Sequence, residues 1–213
     1  MCDIRRNGRG QAVAPTIVKL KLFIMKDELE KCFEFILEVE KLKAVNRRTK
    51  PIGLDRYENS AEHSWQAALM ALVLAKFGNE SVNVEKVVKM MLVHDIGEID
   101  ADDVFFFDEA GRLDAKEKEL AAMKRIFGIL PDEKASELFE LWNEFENGNS
   151  AEAKFARAID RVMPVLQNLY NNKQSWTENG VTKEQILTKT AYIGDGSAVL
   201  WETIAAKIEK AFE

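Results

Sequence analysis

The stretch NVEKVVKMMLVHDIGE, residues 83–98, carries an apolar helix face that runs into a carboxylate. Its valine, methionine and leucine residues recur at helical spacing from a start near Asn83, and one more turn of that face brings round Asp95. His94 directly precedes Asp95, and Glu98 lies one helical turn beyond His94. Three groups able to bind a metal or carry a proton are therefore gathered within a single turn.

Helical patterns also flank this stretch. From Leu29 to Leu42 the apolar spacing predicts a first amphipathic helix, and Ser60 is placed to cap a helix whose first turn carries His63. A further helical pattern runs from residue 151 to about 170, with Pro164 as an expected interruption. No strand pair or internal repeat is evident, so the sequence predicts an all-α fold.

The composition is that of one globular domain, with 46% hydrophobic and 31% charged residues in a chain of 213. Residues 1–24 are predicted to be a poorly patterned N-terminal extension, and residues 25–213 the domain. The formal net charge of -6 argues against binding to a nucleic-acid polymer. The apolar stretches are too short to span a membrane, and Cys2 and Cys32 lack a metal-binding or disulfide spacing, so we expect a cytoplasmic location.

The candidate site rests on a combination of residues. The chain has only two histidines, His63 and His94, and Asp160 lies within a helical apolar pattern where a carboxylate needs a partner. Alone, Asp160 is more simply explained by a salt bridge to a nearby arginine, and His63 by a helix cap or a surface position. Together with Asp95 they make a mixed nitrogen and oxygen set, which suits a transition metal with open positions for water.

Four ordered blocks resemble the HD-domain phosphohydrolase superfamily, in the branch that includes bacterial 5'-deoxynucleotidases and their eukaryotic relatives. The blocks are LKAVNR at 42–47, RYENSAEHS at 56–64, HDIGE at 94–98 and SAEAKF at 150–155. An isolated His-Asp pair is weak, whereas four such blocks in order are specific. The resemblance implies an all-α HD-domain fold and a homodimer.

The resemblance also implies the site. His63, His94, Asp95 and Asp160 would bind one divalent ion (Mn, Co, Fe, Ni, Mg or Zn). Glu98 matches the family acid that activates or orients water, and Asp103 matches a further carboxylate that serves in proton transfer.

Three arginines are the predicted substrate-binding residues. Arg47 matches a family arginine near the substrate phosphate, and Arg48 and Arg56 lie in the same loop region. Arg48 stands where the deoxynucleotidases carry a tryptophan that excludes the ribose 2'-hydroxyl, so the family's sugar selectivity is not implied for this chain.

The predicted function is a metal-dependent phosphomonoesterase that acts on a small phosphorylated substrate, a (deoxy)nucleoside 5'-monophosphate. Two alternatives on the same fold are a phosphodiesterase or nucleotide triphosphohydrolase, and a non-catalytic binding module. Binuclear HD enzymes recruit further histidines, which this chain lacks. A di-iron oxidase ranks last, because neither histidine has a glutamate three residues before it.

Overall fold

The computed structural model describes residues 15–213, which form eleven α-helices and two short 3-10 turns, Glu40–Ala44 and Ala75–Phe77. In chain order the helices are α1 (Pro15–Val39), α2 (Ser60–Leu74), α3 (Val84–Val93), α4 (Glu98–Ala101), α5 (Glu109–Phe127), α6 (Asp132–Asn147), α7 (Ala151–Tyr170), α8 (Gln174–Glu178), α9 (Lys183–Thr190), α10 (Ile193–Gly196) and α11 (Ala198–Ala211). Within residues 15–213 there is no strand, only an isolated bridge between Asn46 and Asn59. The predicted all-α fold is confirmed.

Helix α1 begins earlier than the sequence pattern indicated. It starts at Pro15, a residue suited to a first helical turn, and so includes ten residues assigned to the unpatterned extension. Every side chain from 20 to 31 is exposed. The apolar residues at 20 and 22–25 follow no helical spacing, so the sequence pattern did not indicate a helix there. Residues 1–14 of the predicted extension lie outside the described part of the chain.

The start of α2 is fixed by a reciprocal cap. The Asn59 side chain accepts a hydrogen bond from the Glu62 amide, and the Glu62 carboxylate accepts one from the Asn59 amide. The predicted cap, Ser60, is wrong by one residue, because Asn59 has the extended backbone that a cap requires and Ser60 is already helical. This cap holds the first turn of α2, which carries His63.

Helix α7 is shared by two hydrophobic cores. Phe155 and Ile159 pack in one core with α2, α3, α5 and α6, whereas Val162 and Val165 pack in another with the C-terminal helices. The helix runs unbroken through Pro164, so the predicted interruption is wrong. Proline removes one backbone hydrogen bond, and burial on both sides of the residue keeps the helix together.

No helix among residues 15–213 is both long and apolar enough to cross a membrane.

Candidate metal centre and active site

Three side chains from three different helices converge below the molecular surface. His63 comes from the first turn of α2, His94 follows the last residue of α3, and Asp160 lies in the middle of α7. Asp160 Oδ1 lies 2.8 Å from His63 Nε2 and 3.6 Å from His94 Nε2. One ligand atom from each of the three residues lies within 4.8 Å of the others, which is the spacing of a metal centre.

The orientation of His94 fits a metal ligand. Its Nδ1 lies 2.9 Å from the Met91 carbonyl oxygen, and since a carbonyl only accepts, Nδ1 must carry the proton. The other nitrogen, Nε2, is buried, faces the carboxylates and makes no hydrogen bond within the described residues. Backbone bonding of one ring nitrogen is the usual way in which a protein aims the other at a metal.

Asp95 stands beside this trio. Its Oδ1 lies 3.2 Å from His94 Nε2, and its Oδ2 lies 3.9 Å from His63 Nε2. Oδ2 also accepts a 2.9 Å hydrogen bond from Arg47 Nη1. The four predicted ligands are thus brought together, with Asp95 turned partly toward the arginine.

Arg47 is surrounded by carboxylates. Besides Asp95, its guanidinium lies 3.6 Å from Asp103, 3.9 Å from Glu98 and 3.7 Å from Glu58. The side chain is only 9% exposed, and burial alone would lower its pKa, but these carboxylates raise it instead. The guanidinium is therefore a permanent cation next to the metal centre.

Burial sets the protonation of the two predicted catalytic acids. It raises the pKa of Glu98 well above its usual range, and the Asp95 carboxylate adds to this while Arg47 opposes it. Burial also raises the pKa of Asp103, again against the charge of Arg47. Glu98 Oε2 makes no hydrogen bond to the described residues. Both groups are suited to hold or transfer a proton.

The pKa values of the two histidines shift in opposite directions. Burial lowers the pKa of His63, and the charge of Arg47 lowers it further. Burial opposes a proton on His94 as well, yet Asp95 and Asp160 outweigh it and raise the pKa of that ring. The same carboxylates that favour a proton on His94 Nε2 favour a metal cation there.

Two neighbours of the site, Glu58 and Arg161, are not among the predicted site residues. Glu58 is buried, accepts a 2.6 Å hydrogen bond from the Gln167 side chain and lies 3.8 Å from His63 Nδ1. Its partner is 109 residues away, so no local pattern indicated it. Arg161 follows Asp160 directly and lies 3.4 Å from its Oδ2. The adjacency of the two residues in the sequence indicated this ion pair.

Arg161 is held by several groups at once. It donates to the Tyr192 hydroxyl at 3.1 Å, and its guanidinium stacks 3.7 Å from the centre of the Phe106 ring. Burial raises the pKa of Asp160, but Arg161 and the two histidines reverse this and hold it well below its usual range. Arg161 and the two histidines therefore keep Asp160 ionised.

One cavity of about 880 Å³ is lined by His94, Asp95, Glu98, Asp160 and Arg161. The buried side chains of His63 and Glu58 are not part of this lining. Arg47 and Asp103 lie in its wall, together with the loop that carries three consecutive phenylalanines, residues 105–107. Arg48 is exposed and also lines the cavity. Arg56 does not: its guanidinium binds the Glu62 carboxylate at 2.6 and 2.8 Å on the surface, so the structure gives no support to its predicted contact with the substrate.

Residues 39–201 match the family described as HD domain, which is more than half of the chain. The chain belongs to the HD domain family. This assignment agrees with the site, because the histidine and aspartate pair at 94–95 lies at the centre of the convergent group.

Relatives of this HD domain include several proteins named 5'-deoxynucleotidase. The chain is 35% identical over 115 residues to 5'-deoxynucleotidase HDDC2 of Bos taurus, a match that covers 54% of this chain and 55% of that protein. A longer match, 27% identical over 163 residues, covers 74% of this chain and 85% of the protein of the same name from Dictyostelium discoideum. The chain thus spans about half the length of the mammalian relatives that it matches.

A solved HD-domain structure is similar over almost the whole chain. It is a predicted metal-dependent phosphohydrolase from Magnetospirillum magnetotacticum, 38% identical, with a TM-score of 0.82 over 87% of this chain and 96% of that one. A protein from Pyrococcus horikoshii is 26% identical, with a TM-score of 0.59 over 82% of this chain.

Proposed function

We propose that the protein is a metal-dependent phosphomonoesterase that releases phosphate from (deoxy)nucleoside 5'-monophosphates. The observation that carries the proposal is the convergence of His63, His94 and Asp160 beside a cavity whose wall includes His94, Asp160 and a buried arginine. The names of the relatives, 5'-deoxynucleotidase and metal-dependent phosphohydrolase, support the same class of reaction.

The residues at the centre fit one divalent ion. His63, His94, Asp95 and Asp160 would hold it, and the unpaired, buried Nε2 of His94 is the atom that most needs such a partner. A transition metal such as Mn, Co, Fe, Ni or Zn suits this nitrogen and oxygen set, and Mg is the remaining candidate. When bound, the ion supplies a water of lowered pKa and polarises the phosphoryl group.

The chain's own side chains would carry the remaining chemistry. Arg47 orients the phosphate as a fixed cation, and Glu98, whose pKa is raised by burial, accepts the proton of the attacking water. Asp103, 3.6 Å from Arg47 and with a pKa raised by burial, would protonate the leaving oxygen. Arg48 lines the cavity where it would face the sugar.

Phosphate release tests the proposal directly. The purified protein is stripped with a chelator, given each candidate metal in turn, and assayed on paired ribo- and deoxyribonucleoside 5'-monophosphates. We expect release only with metal, and loss of at least 100-fold in His94→Ala. Absence of release with every metal would refute the phosphomonoesterase. The ratio of ribo to deoxyribo rates measures the sugar selectivity left by Arg48.

The same proposal includes a homodimer. Support comes from two exposed apolar stripes at matching helical spacing, 29, 33, 36 and 37 on α1 and 65, 69, 72 and 73 on α2. Exposed apolar surface of this kind is typical of a subunit interface. The cytoplasmic location expected from the sequence stays a prediction, which cell fractionation would test.

A further inference from the structure

Two buried hydroxyl groups in the cavity wall lack a hydrogen-bond partner. Thr49 is 7% exposed and Ser175 is 1% exposed, and both residues line the cavity that contains the metal centre. Neither hydroxyl is paired with any group in the described part of the chain. Buried hydroxyls are normally hydrogen-bonded, because desolvation without a partner costs free energy. Their position therefore suits contact with a polar ligand.

Thr49 projects on the same side of the chain as Arg47. The segment is extended here, with reciprocal backbone hydrogen bonds that join Arg47 and Thr49 to Glu58. Burial alternates accordingly: Arg47 and Thr49 are buried, whereas Asn46 and Arg48 are exposed. Two residues of extended chain span about 7 Å. Thr49 thus follows Arg47 along the same side of the strand-like segment, at a spacing that suits the sugar of a nucleotide whose phosphate Arg47 binds.

Ser175 lies at the far end of the same cavity. One face of α7 lines the cavity with Asp160, Pro164 and Asn168. The step of eight residues from Asp160 to Asn168 rises about 12 Å along the helix. Asn168 Oδ1 accepts a 3.1 Å hydrogen bond from the Trp176 amide, which anchors the segment with Ser175 at this end.

A second hydrogen bond joins the two hydroxyl-bearing segments. The Lys50 amide donates to the Gln174 side-chain oxygen at 3.1 Å. Thr49 precedes Lys50 and Ser175 follows Gln174, so this hydrogen bond holds Thr49 and Ser175 on neighbouring stretches of the wall. Trp176, 4% exposed, and Val165 supply apolar surface beside them. Apolar walls with a few placed polar groups are typical of a ligand subsite.

We propose that Thr49 and Ser175 form a subsite for the uncharged, hydrogen-bonding part of the substrate that lies farthest from its phosphate. This inference rests on the proposed function. The group recognised is a pentose hydroxyl or the polar edge of a base, either of which pairs with a side chain that both donates and accepts. Such a subsite discriminates against ligands that lack the group, since its own hydroxyls are then left unpaired.

Binding of a nucleoside without phosphate tests the subsite independently of catalysis. Calorimetry compares uridine and 2'-deoxyuridine on the wild type, Thr49→Val and Ser175→Ala. We expect both variants to bind uridine about tenfold more weakly. A loss confined to uridine assigns the contact to the 2'-hydroxyl, and an equal loss for both nucleosides assigns it to a group that they share, the 3'-hydroxyl or the base.

Thr190→Val is the matched control. Thr190 is buried in the same cavity wall, but its hydroxyl already donates to the Ile186 carbonyl at 2.7 Å. We expect unchanged nucleoside affinity in this variant. Equal affinity of all four proteins, or no nucleoside binding by the wild type, would overturn the subsite.

A kinetic comparison separates this subsite from the metal centre. The ratio of kcat/KM for a nucleoside 5'-monophosphate to kcat/KM for p-nitrophenyl phosphate should fall about tenfold in Thr49→Val and Ser175→Ala, chiefly through KM. An equal fall for both esters contradicts the proposal. Nucleoside binding without any phosphate release would leave the subsite standing and refute the phosphomonoesterase.

Discussion

At the scale of single residues, a substitution of Glu98 would distinguish metal binding from turnover. Glu98→Gln removes the proposed proton acceptor. It leaves in place the three closely spaced candidate ligands, His63, His94 and Asp160. We expect kcat to fall between about 100-fold and 10,000-fold, which is the usual contribution of a general base. Metal affinity, measured by calorimetry, should change little. A loss of affinity that matches the loss of rate would identify Glu98 as a ligand instead.

Glu119, on α5 at the cavity wall, makes stability depend on pH. Burial, together with the Glu146 carboxylate, raises the pKa of Glu119 to about 7. Because this pKa is higher in the folded state than in the unfolded chain, ionisation disfavours folding, and stability is lost as the pH rises from about 4.5 through about 7.

Glu119→Gln should remove this pH dependence. Relative to the wild type, the variant should gain about 1 kcal/mol of unfolding free energy between pH 5 and pH 8, after allowance for partial exposure. Urea titrations at both pH values measure this difference in unfolding free energy. A chelator is present because a bound ion would neutralise Asp95, whose charge also raises the pKa of Glu119. Glu117→Gln, at an exposed position on the same helix, is the control. A constant difference between variant and wild type would exclude the effect.

At the scale of elements, the Asn59 cap ties helix stability to the site. Asn59→Ala removes the reciprocal cap of α2 and should cost about 1 kcal/mol of stability. Because His63 lies in the capped turn, fraying should also weaken metal binding by a few-fold.

Thr182→Ala tests whether that link is specific. Thr182 and Gln185 form the same kind of cap on α9, which contributes none of the four predicted metal ligands. The variant should lose similar stability in urea titrations and keep its metal affinity. Equal weakening of metal binding in the two variants would show a general effect of stability.

Gly196 determines how closely α10 approaches α7. A Cβ at this position would overlap the Lys154 carbonyl oxygen and lie 2.8 Å from Phe155 Cα. Gly196→Ala should therefore cost roughly 2 kcal/mol or more in thermal or urea unfolding. Gly194→Ala is the control, since its Cβ would only touch Trp201 at 3.4 Å. Similar stability of the two variants would contradict this packing.

The sequence predicted elements and site unequally. Local signals predicted the group around residue 94, because His94, Asp95 and Glu98 lie within one turn of the chain. The sequence pattern did not predict the start of α1, because the apolar residues at 20 and 22–25 follow no helical spacing. Glu58 was missed because its contacts with Arg47 and Gln167 exist only after the chain has folded.

At the scale of the whole molecule, the exposed stripes of α1 and α2 bear on assembly. A helix whose residues 20–31 make no buried contact is marginal in water on its own, so a partner surface should stabilise it. We expect light scattering across a range of concentrations to give the mass of two chains.

Charged substitutions in both stripes should break that assembly. The double variant Leu37→Glu and Leu72→Glu places a carboxylate in each stripe. Both leucines are exposed, at 69% and 60% respectively. The mass should fall to that of one chain. Leu113→Glu, 75% exposed on α5 and outside the stripes, should leave it unchanged. A wild type that is monomeric at every concentration would refute the homodimer.

Helix α7 belongs to both hydrophobic cores and also carries Asp160. This helix cannot unfold without opening both cores, so its amides should exchange with deuterium only when the entire chain unfolds. An ion captured at Asp160 would then slow exchange in α11 as well as in α3, although α11 contributes no predicted ligand. The metal centre would thereby act as a clasp on the whole protein.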